Sequence, residues 1–229
     1  MSQDADKKAA ALAAADEVRE GMLVGLGTGS TAFFLIEELG RRHGAGLGFR
    51  AVATSLASEV QAKALGIPVL PFSDVAQIDL AIDGADEIDS QLRAIKGAGG
   101  AMLREKCVAA SARRMVVIAD SSKKVGQLGT GMPVPCEILP FAQAFVGRAL
   151  ADAGARVALR MKGGAPYRTD QGNLILDCHF GRIADPASLA ARLSTIPGLL
   201  GHGLFVTEVD ALYLAENGSA NLIEAAGSA

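Results

Sequence analysis

MLVGLGTGST, residues 22–31, sets a short apolar run against a turn carrying Gly25, Gly27 and Gly29, and FFLIEELGRR at 33–42 continues it as a helix. A buried strand that feeds a helix through a glycine turn is the opening unit of a parallel α/β sheet. The same grammar repeats outward from it. Upstream, composition and the spacing of Leu12 and Val18 predict a helix over 6–19, stopped by Gly21. Downstream come a strand at 49–53, a helix at 56–65 closed by Gly66, and strands at 67–72 and 78–82. The last strand ends in DGADEID (83–89), and the glycine-rich KGAGG (96–100) leads to a helix at 102–112 and the strand MVVIAD at 115–120. The alternation predicts an α/β fold with a doubly wound, mostly parallel sheet of Rossmann-like type.

Near residue 132 the order changes to strand 136–139, helix 142–154, strand 155–161, strand 173–180, helix 186–196 and strand 203–206. That β-α-β-β-α-β order predicts a smaller α+β, split βαβ (ferredoxin-like) domain over 132–205. The Rossmann-like domain then comprises 1–131 plus 206–229, with DALYLA (210–215) returning to its sheet as an extra strand.

Half of the 229 residues are apolar but only 4% are aromatic, so Ala, Val, Ile and Leu must build the core. A net charge of −3 offers no basic field to recruit nucleic acid or an anionic membrane, and any anionic ligand must be met locally. Cys107, Cys136 and Cys178 form no C-x-x-C pair, and His43, His179 and His202 fall in no metal-binding spacing, so neither a disulfide framework nor a metal site is expected. The N-terminal residues mix acidic and basic side chains, unlike a signal peptide, and no apolar run approaches the ~18 residues of a membrane span. A cytoplasmic protein is expected.

Three loops carry chemistry. Thr28, Gly29, Ser30 and Thr31 place backbone N–H groups and hydroxyls at a helix N-terminus, where anions bind, although Ser30 as a plain helix cap explains the same residues. The turn is not a dinucleotide fingerprint, since Ser30 stands where G-x-G-x-x-G requires glycine, and it lacks the lysine of a P-loop. Asp83, Gly84, Ala85 and Asp86 lie just past a strand end, where paired carboxylates suit acid/base work or sugar hydroxyls, or simply form an Asx turn. Lys96, Gly97, Ala98 and Gly99 precede the triplet Arg104-Glu105-Lys106, which in isolation reads as a solvated helical face. Lys123 ends another strand. All these loops fall on one side of a parallel sheet, where they are expected to converge.

GxGTGST (25–31), the TS-x-x-S-E of Thr54 to Glu59, DLAIDGADEID (79–89), IKGAGGAMLREK (95–106) and IADSSK (118–123) follow the order and spacing of ribose-5-phosphate isomerase, type A, which the chain resembles over essentially its whole length. Ala98, where the family often has a third consecutive glycine, and Leu103, where some members carry Thr, depart from the pattern. The resemblance implies interconversion of D-ribose 5-phosphate and D-ribulose 5-phosphate through an enediolate, without metal or organic cofactor. It assigns Glu105 as the base, Lys96 as the donor to the developing oxyanion, and Asp83 and Asp86 to ring opening and hydroxyl binding. It further assigns residues 28–31, 83–86 and 96–99 with Lys123 to substrate binding, and a homodimer or dimer of dimers as the assembly. A sugar-phosphate sensor would need a DNA-reading helix-turn-helix, which the single alanine-rich helix before the sheet does not supply. An amino-sugar phosphate deaminase would need a histidine in a motif loop, and none lies there.

Overall fold

The computed structural model describes residues 2–225. Along the chain run α1 (Gln3–Ala15), β1 (Leu23–Leu26), α2 (Ser30–Gly44), β2 (Arg50–Ala53), α3 (Leu56–Ala64), β3 (Leu80–Gly84), β4 (Glu87–Ile88), β5 (Ala94–Ile95), α4 (Met102–Ser111) and β6 (Met115–Asp120). There follow β7 (Val134–Ile138), α5 (Gln143–Asp152), β8 (Arg156–Leu159), β9 (Met161–Lys162), β10 (Ala165–Pro166), β11 (Leu174–His179) and α6 (Pro186–Ser194). The chain closes with β12 (Leu199–His202), β13 (Leu204–Phe205), β14 (Ala211–Glu216) and β15 (Ser219–Glu224). No helix among the described residues is long and apolar enough to cross a membrane.

Two compact units result. The first comprises the described residues up to 85, with 104–124 and those from 207 onward. Its sheet has the order β15-β14-β6-β3-β1-β2, parallel throughout except for the antiparallel edge strand β15. Every residue of β1 and β6 is buried, as a strand covered on both faces requires. Ala10, Ala11, Ala14 and Ala15 of α1 are fully buried, and such small side chains let the helix approach the sheet closely. Ser2 caps α1 through its hydroxyl, so the helix begins earlier than composition suggests, and its last residue is Ala15 rather than Arg19. The strand expected at 67–72 is absent. Pro68 and Pro71 lack N–H donors, and only Val69 bridges to Ala51.

Because β1 is flanked by β2 on one side and β3 on the other, the order of chain growth reverses between β1 and β3. An open parallel sheet leaves a crevice beyond the carboxyl ends of its strands at such a point, and ligands bind there.

The second unit comprises 86–103 and 125–206. Residues 86–103, 125–131 and 206, expected in the first domain, therefore pack with the second, and residues 1 and 226–229 of the expected domain lie outside the described residues. Its main sheet is antiparallel with order β12-β7-β11-β8, the expected split βαβ arrangement with α5 and α6 as its helices. The expected last strand, 203–206, is displaced. Leu199–His202 takes the edge of this sheet, while Leu204–Phe205 pairs with β5 in a separate three-stranded sheet with β4. Gly203 makes the break, because its Cα lies so close to the Lys96 carbonyl that a Cβ would fall 2.2 Å from that oxygen.

Glu87, only 2% exposed, ties the short strand β4 to the 129–132 loop. One carboxylate oxygen accepts from Gly131 N at 2.6 Å and Met132 N at 2.8 Å, and the other from Gly129 N at 2.6 Å. Glu87→Gln turns an NH2 group toward amide donors and is expected to destabilise the protein by about 1–3 kcal/mol. Urea unfolding checks this, and an unchanged midpoint would contradict it.

Candidate active site

Gly27 follows the end of β1 and faces Asp83 near the end of β3. A Cβ on Gly27 would lie 2.1 Å from Asp83 Oδ1 and 2.6 Å from its Cα, so only glycine lets the two chains approach this closely. Asp83 is 3% exposed, and its Oδ1 accepts from Thr28 N at 2.9 Å and Gly84 N at 2.7 Å. One carboxylate therefore organises the start of both the TGST and DGAD turns. Hydroxyls complete the frame: Thr28 Oγ1 lies 2.7 Å from Thr54 Oγ1 and 3.3 Å from Ser58 Oγ, and the Ser58 hydroxyl donates to the Gly27 carbonyl at 2.6 Å.

Gly29, not Ser30, is the N-cap of α2. Its φ of 106° is one that other residues rarely adopt, and no side chain caps the helix. The reading of Ser30 as a helix cap is thus overturned. Ser30 is exposed, and among the described residues neither its hydroxyl nor that of Thr31 makes a hydrogen bond. Thr28, Gly29 and Ser30 line an open pocket of about 500 Å³ with Phe33, Ala57, Ser58 and Gln61. The first turn of α2 thus presents backbone N–H groups and hydroxyls to a volume large enough for a small metabolite.

Glu105 lies on α4. It is 4% exposed, so the R-E-K triplet is no solvated face. With Asp83, Gly25, Gly27, Thr54 and Val108 it borders an interior gap too small to hold a water molecule, so the two buried carboxylates stand close to one another. Its neighbour Lys106 is engaged elsewhere, 2.7 Å from Glu208. Lys123 closes the one-turn helix Ser121–Lys123 after β6. Asp120 caps that turn: burial pushes its carboxyl up, but the bonds from the Ser122 hydroxyl, Gln3 and Ser122 N outweigh it and hold the group below the usual range. The first unit thus groups Thr28 to Thr31, Asp83, Gly84, Ala85 and Glu105 at the carboxyl edge of its sheet, with Lys123 beyond β6.

Asp86, Lys96, Gly97, Ala98 and Gly99 belong to the second unit. Asp86 Oδ2 accepts from Ala98 N at 2.8 Å, which ties the DGAD segment to the glycine-rich turn. Lys96 is 2% exposed, and its ammonium stands 5.4 Å from the centroid of the Phe205 ring. Gly97 has φ 107°, whereas Ala98 has no positive φ, so its departure from the glycine pattern introduces no backbone strain.

The family model described as ribose 5-phosphate isomerase A (phosphoriboisomerase A) matches residues 50–219. The chain belongs to this family. A ribose-5-phosphate isomerase A from Sphingopyxis alaskensis is 52% identical over 211 residues, covering 92% of each chain. One from Methanosarcina acetivorans is 49% identical over 218 residues, 94% of this chain and 92% of its own. Among solved structures, the ribose 5-phosphate isomerase A of Methanocaldococcus jannaschii superposes with a TM-score of 0.93 at 35% identity, covering 97% of this chain and 100% of that one. A D-ribose-5-phosphate isomerase in complex with phospho-erythronic acid gives a TM-score of 0.94 at 36% identity, covering 98% and 100%.

Local patterns missed Phe33 and Gln61, which line the TGST pocket. Their places on α2 and α3 become visible only once the two helices stand beside one another. Thr54 and Ser58 stand out in the sequence only as part of the TS-x-x-S-E motif, although hydroxyls just after β2 and in the first turn of α3 are a signal in their own right.

Gly27→Ala is expected to force β1 and β3 apart and cost about 1–3 kcal/mol, whereas Gly29→Ala meets open space and carries only the strain of its φ. Chemical unfolding of the pair checks the contrast, with wild-type stability in Gly27→Ala the contrary result.

Proposed function

We infer that the chain is an aldose–ketose isomerase interconverting D-ribose 5-phosphate and D-ribulose 5-phosphate, with Glu105 as the base. The observation that supports the base assignment is that Glu105, a buried carboxylate on α4, packs close to the buried Asp83 that ends β3. Glu105 takes the proton from C2 of the open-chain aldose, leaving an enediolate, and returns it to C1, while a hydroxyl proton passes from O2 to O1. The donor for the developing oxyanion is Lys96, whose burial supports a strong electrostatic contribution. Asp83 and Asp86 assist ring opening and accept from sugar hydroxyls. Residues 28–31 take the phosphate through the N–H groups and hydroxyls at the start of α2, and residues 84, 85 and 97–99 with Lys123 complete the substrate contacts. The reaction uses no metal or organic cofactor.

The enzyme serves the non-oxidative branch of the pentose phosphate pathway in the cytoplasm. It works as a homodimer or dimer of dimers, which the 97% exposure of Phe141 and the 59% exposure of Phe145 support. Its net charge of −3 supports a small-molecule role, with neither nucleic acid nor a membrane as partner.

Glu105→Gln keeps size and removes the base, so turnover of ribose 5-phosphate is expected to fall by about 10²- to 10⁴-fold with the fold intact. Activity within a few-fold of wild type would overturn the assignment. Ser30→Ala and Thr31→Ala are each expected to raise KM about fivefold, the equivalent of one ordinary hydrogen bond of about 1 kcal/mol, with unchanged melting temperature. Unchanged KM in both would move the phosphate site elsewhere.

A further inference from the structure

Arg160 follows β8 in the second unit and has no place in the motifs above. Its side chain is 15% exposed, and the guanidinium grips Asp177 of β11 through a fork, Nε donating to Oδ2 at 3.0 Å and Nη2 to Oδ1. The remaining nitrogen, Nη1, donates to the carbonyls of Gly97 at 2.9 Å and Ala98 at 3.1 Å. The peptide between Gly97 and Ala98 is thereby clamped on both sides, its carbonyl by Arg160 and its N–H by Asp86. At the next peptide but one, Tyr167 OH donates to the Gly99 carbonyl at 3.4 Å, and Gly100 N closes the turn on the Gly97 carbonyl at 3.0 Å. Among the described residues the Gly99 N–H makes no hydrogen bond.

We propose that Arg160, oriented by Asp177, is a positioning residue that fixes the 97–99 turn, and with it Lys96 and the Gly99 amide, for the reaction. The assignment rests on the functional reading above. A planar fork with several donors can serve a carboxylate and two carbonyls at once, which the single ammonium of lysine cannot. Asp177 sits in mid-strand, paired with Ala158 of β8, so the clamp is referred to a rigid sheet rather than to another loop.

The test measures kcat and KM for ribose 5-phosphate in Arg160→Lys, Arg160→Met, Asp177→Asn and the Arg160→Met/Asp177→Asn double variant, each well below its own melting temperature. A small displacement of reacting groups is worth up to about a hundredfold. Both Arg160 variants are therefore expected to lose roughly tenfold to a hundredfold in kcat with little change in KM, and Asp177→Asn to lose less. The double variant is expected to match Arg160→Met, because Asp177 acts only through Arg160. A merely structural role lowers the melting temperature and leaves kcat of the folded enzyme unchanged, and that result, or multiplicative losses in the double variant, would overturn the proposal. Should Arg160→Met fail to fold, the isosteric Asp177→Asn and the charge-preserving Arg160→Lys decide by the same split. Absence of turnover in the wild type would instead overturn the functional reading itself.

Discussion

The contact between Gly27 and the Asp83 carboxylate is the constraint on which the site of the first unit depends. It joins the ends of β1 and β3 at the one place in the parallel sheet where the order of strands reverses. A larger residue at 27 would part the strands, and loss of the carboxylate would leave the Thr28 and Gly84 amides without their acceptor. From this single junction the TGST turn leads into α2 on one side and the DGAD turn leaves on the other. Glu105 packs close beside it from α4. The sheet supplies rigidity, and the turns beyond it carry the candidate site residues.

The second unit repeats this logic with different parts. Its glycine-rich turn is by composition free to move, and side chains that flank the ends of neighbouring strands limit that freedom. Asp86 holds one amide, Arg160 two carbonyls and Tyr167 a third. Glycine permits the turn its shape at Gly97, and the surrounding hydrogen bonds select that shape from the many that glycine allows.

Much of this was legible in the chain. Strands β1, β2, β3, β6 and β14 announce themselves by apolar runs ending in turn residues, and the change to the β-α-β-β-α-β order is visible near 132. What local pattern hid were features decided by distant partners. The 67–72 run is apolar, yet its two prolines deny it a ladder. Gly203 divides an apolar stretch because the Lys96 carbonyl passes beside it, and β4 and β5 are two-residue strands that pair with one another, too short to show a period in the sequence, with β13 joining them from far along the chain. The edge strand β15 follows a tight turn at Asn217 and Gly218, both at positive φ, an Asn-Gly hairpin signal that the weak apolar pattern of the tail obscured. At the site, motif positions were readable, but the burial that turns Glu105 from a surface charge into a candidate base was not.

The most direct measurement is the simplest: ribose 5-phosphate mixed with the purified protein in the presence of a metal chelator, with ketose formation followed over time. Rapid, chelator-insensitive conversion to ribulose 5-phosphate is expected. Binding of the sugar phosphate without ketose formation, or turnover abolished by the chelator, would contradict the account.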